Sequence, residues 1–179
     1  MSLLDHITSH PDWPIEGIVF RDLNGIYRDP ELMAEAARLL ATAARGLSPD
    51  GDGAFSLVVS PEARGFILGP MLARELGAGF VPVRKPEKLP PPVRSHQYEV
   101  EYGPDVLEIQ SHPLAGAGPI LIYDDVLATG GTATATARLV EALDGVPAGF
   151  AFLLELDGLG GRAALAQATG MPVAAALTD

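Results

Sequence analysis

Residues 120–132 join an apolar run, two adjacent carboxylates (Asp124 and Asp125) and the small-residue turn Ala128-Thr129-Gly130-Gly131-Thr132. The chemistry open to such a stretch is the binding of a phosphorylated sugar. Gly130 and Gly131 let the backbone approach an anion, Thr129 and Thr132 carry hydroxyl donors, and the free amides of a helix starting there add positive potential. The two aspartates would repel that phosphate. They make sense against another part of the same ligand: ribose hydroxyls, from which a carboxylate accepts, or magnesium, which prefers oxygen. A plain strand, glycine turn and helix cap would explain Thr129 and the glycines but not the acid pair. No G-x-G-x-x-G spacing follows any apolar run, which argues against a dinucleotide fingerprint.

The elements that must position these groups follow from periodicity. Ile120 to Tyr123 is a buried parallel strand, with the phosphate turn after it and a helix over residues 133–143. Upstream, Asp29 caps a helix with Pro30 in its first turn, Leu32, Met33, Ala36, Leu39, Leu40 and Ala43 on its core face and Gly46 past its end. A strand over residues 55–59, a helix over 66–76 closed by Gly77, and a strand over 80–83 come next. Pro86 through Pro92 exclude regular structure. Residues 96–102 and 106–110 alternate around Gly103-Pro104 as a β-hairpin. A strand over 148–156, a helix over 159–168 and a strand over 172–177 complete an α/β alternation that predicts a parallel sheet. The first thirty residues stand outside it, as a segment covering the sheet's carboxyl edge.

Composition bounds the function. The 179 residues make one domain of ordinary size, 47% hydrophobic with 6% aromatic, and no internal repeat or low-complexity tract appears. Twelve basic against 23 acidic residues leave a net charge of −11, which repels nucleic acid and anionic membranes, so the expected partner is a small molecule. With no cysteine, neither disulfides nor thiolate metal sites are available, and the cytoplasm is the expected location. His6, His10, His96 and His112 lack ligand spacing. No apolar run approaches membrane-spanning length, and the start lacks a signal pattern, so the mature chain is expected to begin near Met1.

The acid pair with its Ala-Thr-Gly-Gly-Thr turn resembles the phosphoribosyl pyrophosphate signature of the type I phosphoribosyltransferases. Gly17 to Asp22, Glu62-Ala63-Arg64-Gly65-Phe66, Arg84-Lys85 with Lys88-Leu89-Pro90, and Tyr98 to Gly103 resemble segments of the adenine phosphoribosyltransferases, in the order that family carries them. The likeness covers nearly the whole chain. It implies the type I fold: a central, mainly parallel sheet flanked by helices, with an N-terminal hood (residues 1–28) and a flexible β-hairpin lid (86–105).

The resemblance also implies roles. Nitrogen 9 of adenine displaces pyrophosphate from phosphoribosyl pyrophosphate, giving AMP in purine salvage, with magnesium as cofactor. Asp124 and Asp125 hold the ribose and lie near the metal, Ala128, Thr129, Gly130, Gly131 and Thr132 take the 5′-phosphate, and Ala63, Arg64, Arg84, Lys85 and Lys88 take the pyrophosphate. Val19, Phe20 and Arg21 bind the base, Glu101 handles its proton, and Tyr102 seals the lid. A homodimer is implied, with Arg84-Lys85 near the neighbour's site. The chain departs from the family at Ser60-Pro61, at Leu23-Asn24-Gly25 and at the triple Pro90-Pro91-Pro92. Asn24-Gly25 and Pro61 suggest another nucleobase as an alternative substrate. A non-catalytic purine or phosphoribosyl pyrophosphate sensor is the alternative outside enzymes; it lacks an added effector domain, while Arg64, Glu101 and Tyr102 are present.

Overall fold

The computed structural model describes residues 2–100, 103–111, 114 and 116–179. Five strands form one parallel sheet: β3 (Leu57–Pro61), β4 (Gly79–Val83), β7 (Pro119–Leu127), β8 (Val146–Glu155) and β9 (Val173–Thr178), in the order β4-β3-β7-β8-β9. The chain winds one way from β3 to β4 and the other way from β7 through β9. The order therefore reverses between β3 and β7, and the crevice beyond their carboxyl ends is where open α/β sheets bind ligands.

Helices cover both faces. Helix α2 (Pro30–Arg45) starts as expected: the Asp29 carboxylate accepts the Glu31 and Leu32 amides at 2.9 and 3.2 Å. Its buried stripe is Ala36, Ala37, Leu40, Ala41 and Ala44, and Leu39, expected on the core face, is 39% exposed. That stripe packs against Leu68, Leu72 and Ala73 of α3 (Gly65–Leu76) and against the sheet. Together α2, α3 and the short α1 (Asn24–Tyr27) bury Ile26, Leu40, Leu68 and Leu72 against Leu121 and Tyr123. On the other face α4 (Gly131–Glu141) and α5 (Gly161–Thr169) bury Ala133, Ala137 and Leu165 against Ile122, Phe150 and Phe152.

Two smaller sheets sit at the margins. Strands β1 (Thr8–Pro11) and β2 (Val19–Asp22) pair antiparallel in the N-terminal segment. The hairpin β5 (Val93–Val100) and β6 (Gly103–Gln110) is present as predicted. Leu107 and Ile109 are buried against Ala135 and Leu139 of α4, and Arg84 and Glu108 exchange backbone hydrogen bonds of 2.9 and 2.7 Å. Glu101 and Tyr102 lie outside the described residues.

Of the boundaries that differ from expectation, three border the sheet's carboxyl edge. Strand β3 runs two residues later than read, to Pro61, which is tolerated because a proline at the strand's last position breaks no interior bond. Strand β7 continues through both aspartates to Leu127, because its pairing with β8 holds to Leu127 opposite Glu155. Helix α4 begins at Gly131, entered through Gly130 at φ 85°, a left-handed conformation glycine adopts without steric cost.

The turn after β7 is wedged against the start of α5: a Cβ on Gly161 would lie 2.2 Å from the Ala128 carbonyl oxygen and 2.8 Å from Leu127 Cδ1. Gly161→Ala should therefore cost about 1–3 kcal/mol, the usual penalty of overpacking. Urea denaturation of the variant tests this, and an unchanged midpoint would show that the turn relaxes freely.

Candidate functional site

At the crevice between β3 and β7 lies a cavity of about 570 Å³ that brings together parts of the chain far apart in sequence. One wall is Ala128, Thr129, Gly131 and Thr132; another is Val19, Phe20 and Arg21; Arg64 stands between them. Trp13, Pro14, Ile18, Val126, Leu156 and Leu159 also line it; Ile18 and Val126 fall within motifs read from the sequence, and none of the six was assigned a role there. Leu159 could have been found, since it follows β8 at the same sheet edge. Trp13 shows only as the single tryptophan of the chain.

The phosphate-sized turn is preorganised by the helix it opens. The first bond of α4 runs from the Thr134 amide to the Gly130 carbonyl at 2.9 Å, so the amides ahead of it are the unsatisfied donors of the helix start. In the N-terminal segment Trp13 packs edge-on against Phe20, centroids 4.6 Å apart, and the Arg64 guanidinium lies 5.3 Å from the Phe20 ring centre. The Arg21 side chain is tied away to the Asp179 carboxylate and to Ser9 Oγ, leaving mainly its backbone for the cavity.

The two neighbouring aspartates differ in exposure. Asp124 keeps partial exposure, whereas Asp125 is 0% exposed and its carboxylate has no hydrogen bond, only the Arg64 Nε 3.1 Å from Oδ2. Both carboxylates lie behind the cavity lining, and of the two Asp124 is the more exposed. Burial, and next the Asp125 charge, push the Asp124 carboxyl well above the usual carboxylate range. Burial also raises Asp125, with Arg64 opposing it. Burial pushes the Tyr27 and Tyr123 hydroxyls up too, with the Asp125 charge next in importance; both hydroxyls are buried without hydrogen-bond partners among the described residues.

The remaining predicted cations lie beside the cavity and not on its wall. The Glu62 carboxylate accepts from Arg84 Nη2 at 2.9 Å and Nε at 3.2 Å, and from the Lys85 amide at 2.5 Å. Burial would raise Glu62, but the Lys85 amide and the Arg84 guanidinium hold its carboxyl below the usual range. Glu62 thereby fastens the Arg84-Lys85 turn to the loop carrying Ala63 and Arg64. Lys88 contributes its carbonyl to Arg84 at 3.4 Å. Ser60, buried without a hydrogen-bond partner among the described residues, lies under Gly65, whose imaginary Cβ would sit 2.1 Å from Ser60 Oγ.

The chain is similar to known proteins along nearly its whole length. The model of the phosphoribosyl transferase domain matches residues 23–162. The chain is 50% identical over 165 residues to the adenine phosphoribosyltransferase of Synechococcus sp. (strain CC9902), spanning 92% of this chain and 91% of that one. It is 49% identical over 162 residues to that of Natranaerobius thermophilus, covering 90% and 91%. Among solved structures, the adenine phosphoribosyltransferase of Thermoanaerobacter pseudethanolicus superposes with a TM-score of 0.89 at 41% identity, over 99% of this chain and 100% of that one. The Saccharomyces cerevisiae enzyme, complexed with an imino-altritol bisphosphate and adenine, gives 0.88 at 38%, over 98% and 96%.

The raised Asp124 carboxyl has a consequence for stability. A carboxyl that binds its proton more tightly folded than unfolded stabilises the fold at low pH, and that contribution fades as pH rises from the unfolded value of about 4 through the folded one. Asp124→Asn removes the titration while keeping an oxygen for the Asp125 amide, which Asp124 Oδ1 accepts at 2.9 Å. The variant should melt higher than the parent at pH 8, with the gap closing toward pH 4. Thermal melts across that range decide it; a gap independent of pH would contradict the assignment.

Proposed function

The chain belongs to the phosphoribosyltransferase family and transfers phosphoribosyl from phosphoribosyl pyrophosphate to adenine, giving AMP and pyrophosphate in purine salvage; from that premise we propose how its residues divide the work. The observation that carries the assignment is the single cavity uniting the aromatic N-terminal wall, Arg64 and the Ala128–Thr132 turn. A purine fits the first, a pyrophosphate the second and a sugar 5′-phosphate the third.

In this reading Phe20 stacks on the base while the Val19 and Arg21 backbone reads its edge. The Ala128–Thr132 turn takes the 5′-phosphate on helix-start amides and the Thr129 and Thr132 hydroxyls. Asp124 accepts from a ribose hydroxyl and faces the positive charge that builds on the sugar as pyrophosphate leaves. Asp125 acts through Arg64, holding its Nε so that the outer nitrogens remain for the departing pyrophosphate. Ala63 offers backbone, and Arg84, Lys85 and Lys88 extend positive charge along the same edge. Glu101 takes the proton from adenine, and Tyr102 closes the lid over the site.

A divalent ion suits these residues: Asp124 carries the cost of burial and of a neighbouring charge, both of which a dication relieves. Among the described residues no cluster of three or more His, Asp or Glu gathers to hold one. Magnesium would therefore be held mainly by the substrate's own oxygens, with Asp124 and Asp125 nearby; when bound it supplies neutralisation of the pyrophosphate charge. Among the described residues no helix is long and apolar enough to cross a membrane. The reading includes a cytoplasmic location and a homodimer that brings Arg84-Lys85 near the neighbour's site.

Purified protein with phosphoribosyl pyrophosphate and magnesium should form AMP from adenine, and only background product from hypoxanthine, guanine, xanthine or uracil. Turnover of another base would reassign the hood, and tight substrate binding without turnover of any base would favour a sensor. Glu101→Gln should lower kcat by about a hundredfold or more, within the usual range for a lost general base, with phosphoribosyl pyrophosphate affinity nearly unchanged. Equal small effects on both would remove Glu101 from this role.

A further inference from the structure

Behind the phosphate turn, a second polar cluster joins three segments that the reaction as described does not connect. Tyr98 on β5 and Asp105 on β6 face each other in the hairpin register. The Tyr98 hydroxyl donates to Asp105 Oδ2 at 3.0 Å, and the same oxygen is ion-paired with Lys85 Nζ. Asp105 Oδ1 accepts the Val106 amide at 2.8 Å. Tyr98 Oη also lies 3.5 Å from Thr132 Oγ1, the last hydroxyl of the phosphate turn. Lys85 is thus held at both ends, its backbone amide by Glu62 and its ammonium by Asp105.

We propose that Asp105, itself held by Tyr98, is a positioning residue that fixes the Lys85 ammonium for the pyrophosphate end of the substrate. The proposal rests on the reading of Lys85 as a pyrophosphate-binding cation.

The chemistry favours positioning over masking. An ammonium has three donors; Asp105 takes one, and two remain for a polyanion. A lysine on four rotatable carbons would otherwise be spread over many rotamers, so a fixed counter-charge reduces what the ligand must order. Burial would raise the Asp105 carboxyl, but Lys85, the Val106 amide and Tyr98 hold it below the usual range, so it is ionised at neutral pH. The Tyr98 hydroxyl, pushed up to about 12 chiefly by burial, stays protonated as a donor. The hairpin stem and the anionic end of the substrate are coupled through this one carboxylate.

The test is a double-mutant cycle read with separate probes: titration with pyrophosphate, with ribose 5-phosphate and with adenine, alongside KM and kcat for phosphoribosyl pyrophosphate. Asp105→Asn should weaken pyrophosphate binding and raise that KM about tenfold, as loss of a charge-assisted contact does, with ribose 5-phosphate and adenine within about twofold. Lys85→Met should do the same, and the double variant should be no worse than Lys85→Met alone. Tyr98→Phe, which keeps the ring packing, should shift pyrophosphate in the same direction by about threefold. Additive effects in the double variant, or equal losses on all three probes, would reduce the cluster to a structural ion pair and overturn the proposal. If Lys85→Met leaves pyrophosphate binding unchanged while Arg64→Ala weakens it, the proposal falls together with the Lys85 assignment, and the rest of the functional reading stands. Failure of the parent protein to bind pyrophosphate or phosphoribosyl pyrophosphate would overturn that reading as well.

Discussion

The fold's polar organisation depends on a carboxylate buried at the carboxyl end of its central strand. Removing an ion from water costs several kcal/mol even after relaxation, roughly, unless a counter-charge compensates. Asp125 has no hydrogen bond to offset that cost, and Arg64 is its one ion-pair partner among the described residues. Arg64 in turn lies over the Phe20 ring. One buried charge thereby ties together β7, the loop after β3 and the N-terminal wall, the three parts that meet around the cavity.

Topology brings the site to that place. The order reversal between β3 and β7 leaves two adjacent carboxyl ends whose following loops diverge, and each loop opens a helix with a glycine in its first turn. Close packing holds those loops in shape. Gly65 sits over Ser60, and Gly161 presses on the Ala128 carbonyl, so at both positions the backbone occupies space a side chain would need. A loop held this way keeps its amides aimed without a ligand present, which reduces the ordering cost when an anion binds.

In a chain with a net charge of −11, three basic groups near the crevice are paired with acids: Arg64 with Asp125, Arg84 with Glu62, Lys85 with Asp105. These pairs do not merely cancel charge. Glu62 sits in the Arg64 loop and Asp105 in the hairpin, so each pair fastens a different segment to the same edge of the sheet. The hairpin stem is joined to the Arg84-Lys85 turn by the Asp105 pair and to α4 by Leu107 and Ile109.

Much of the architecture was legible in the residues themselves. The apolar runs and their Gly and Pro boundaries mark the parallel strands and their helices, the Asp29-Pro30 cap marks α2, and the Ala-Thr-Gly-Gly-Thr run marks the turn that enters α4 and lines the cavity, because periodicity, capping and backbone freedom are local properties. Arg64 and the segment from Val19 to Arg21 were also named from sequence, and both line the cavity. Which of two adjacent aspartates would be sealed from solvent was not readable, since it depends on the pleat of β7 and on what packs beneath it. Nor were the Trp13, Leu156 and Leu159 walls, the tether of Glu62 to Arg84, or the Tyr98-Asp105-Lys85 cluster. Those contacts join residues from separate segments, and only the sheet order and the packing of the chain on itself bring them within reach.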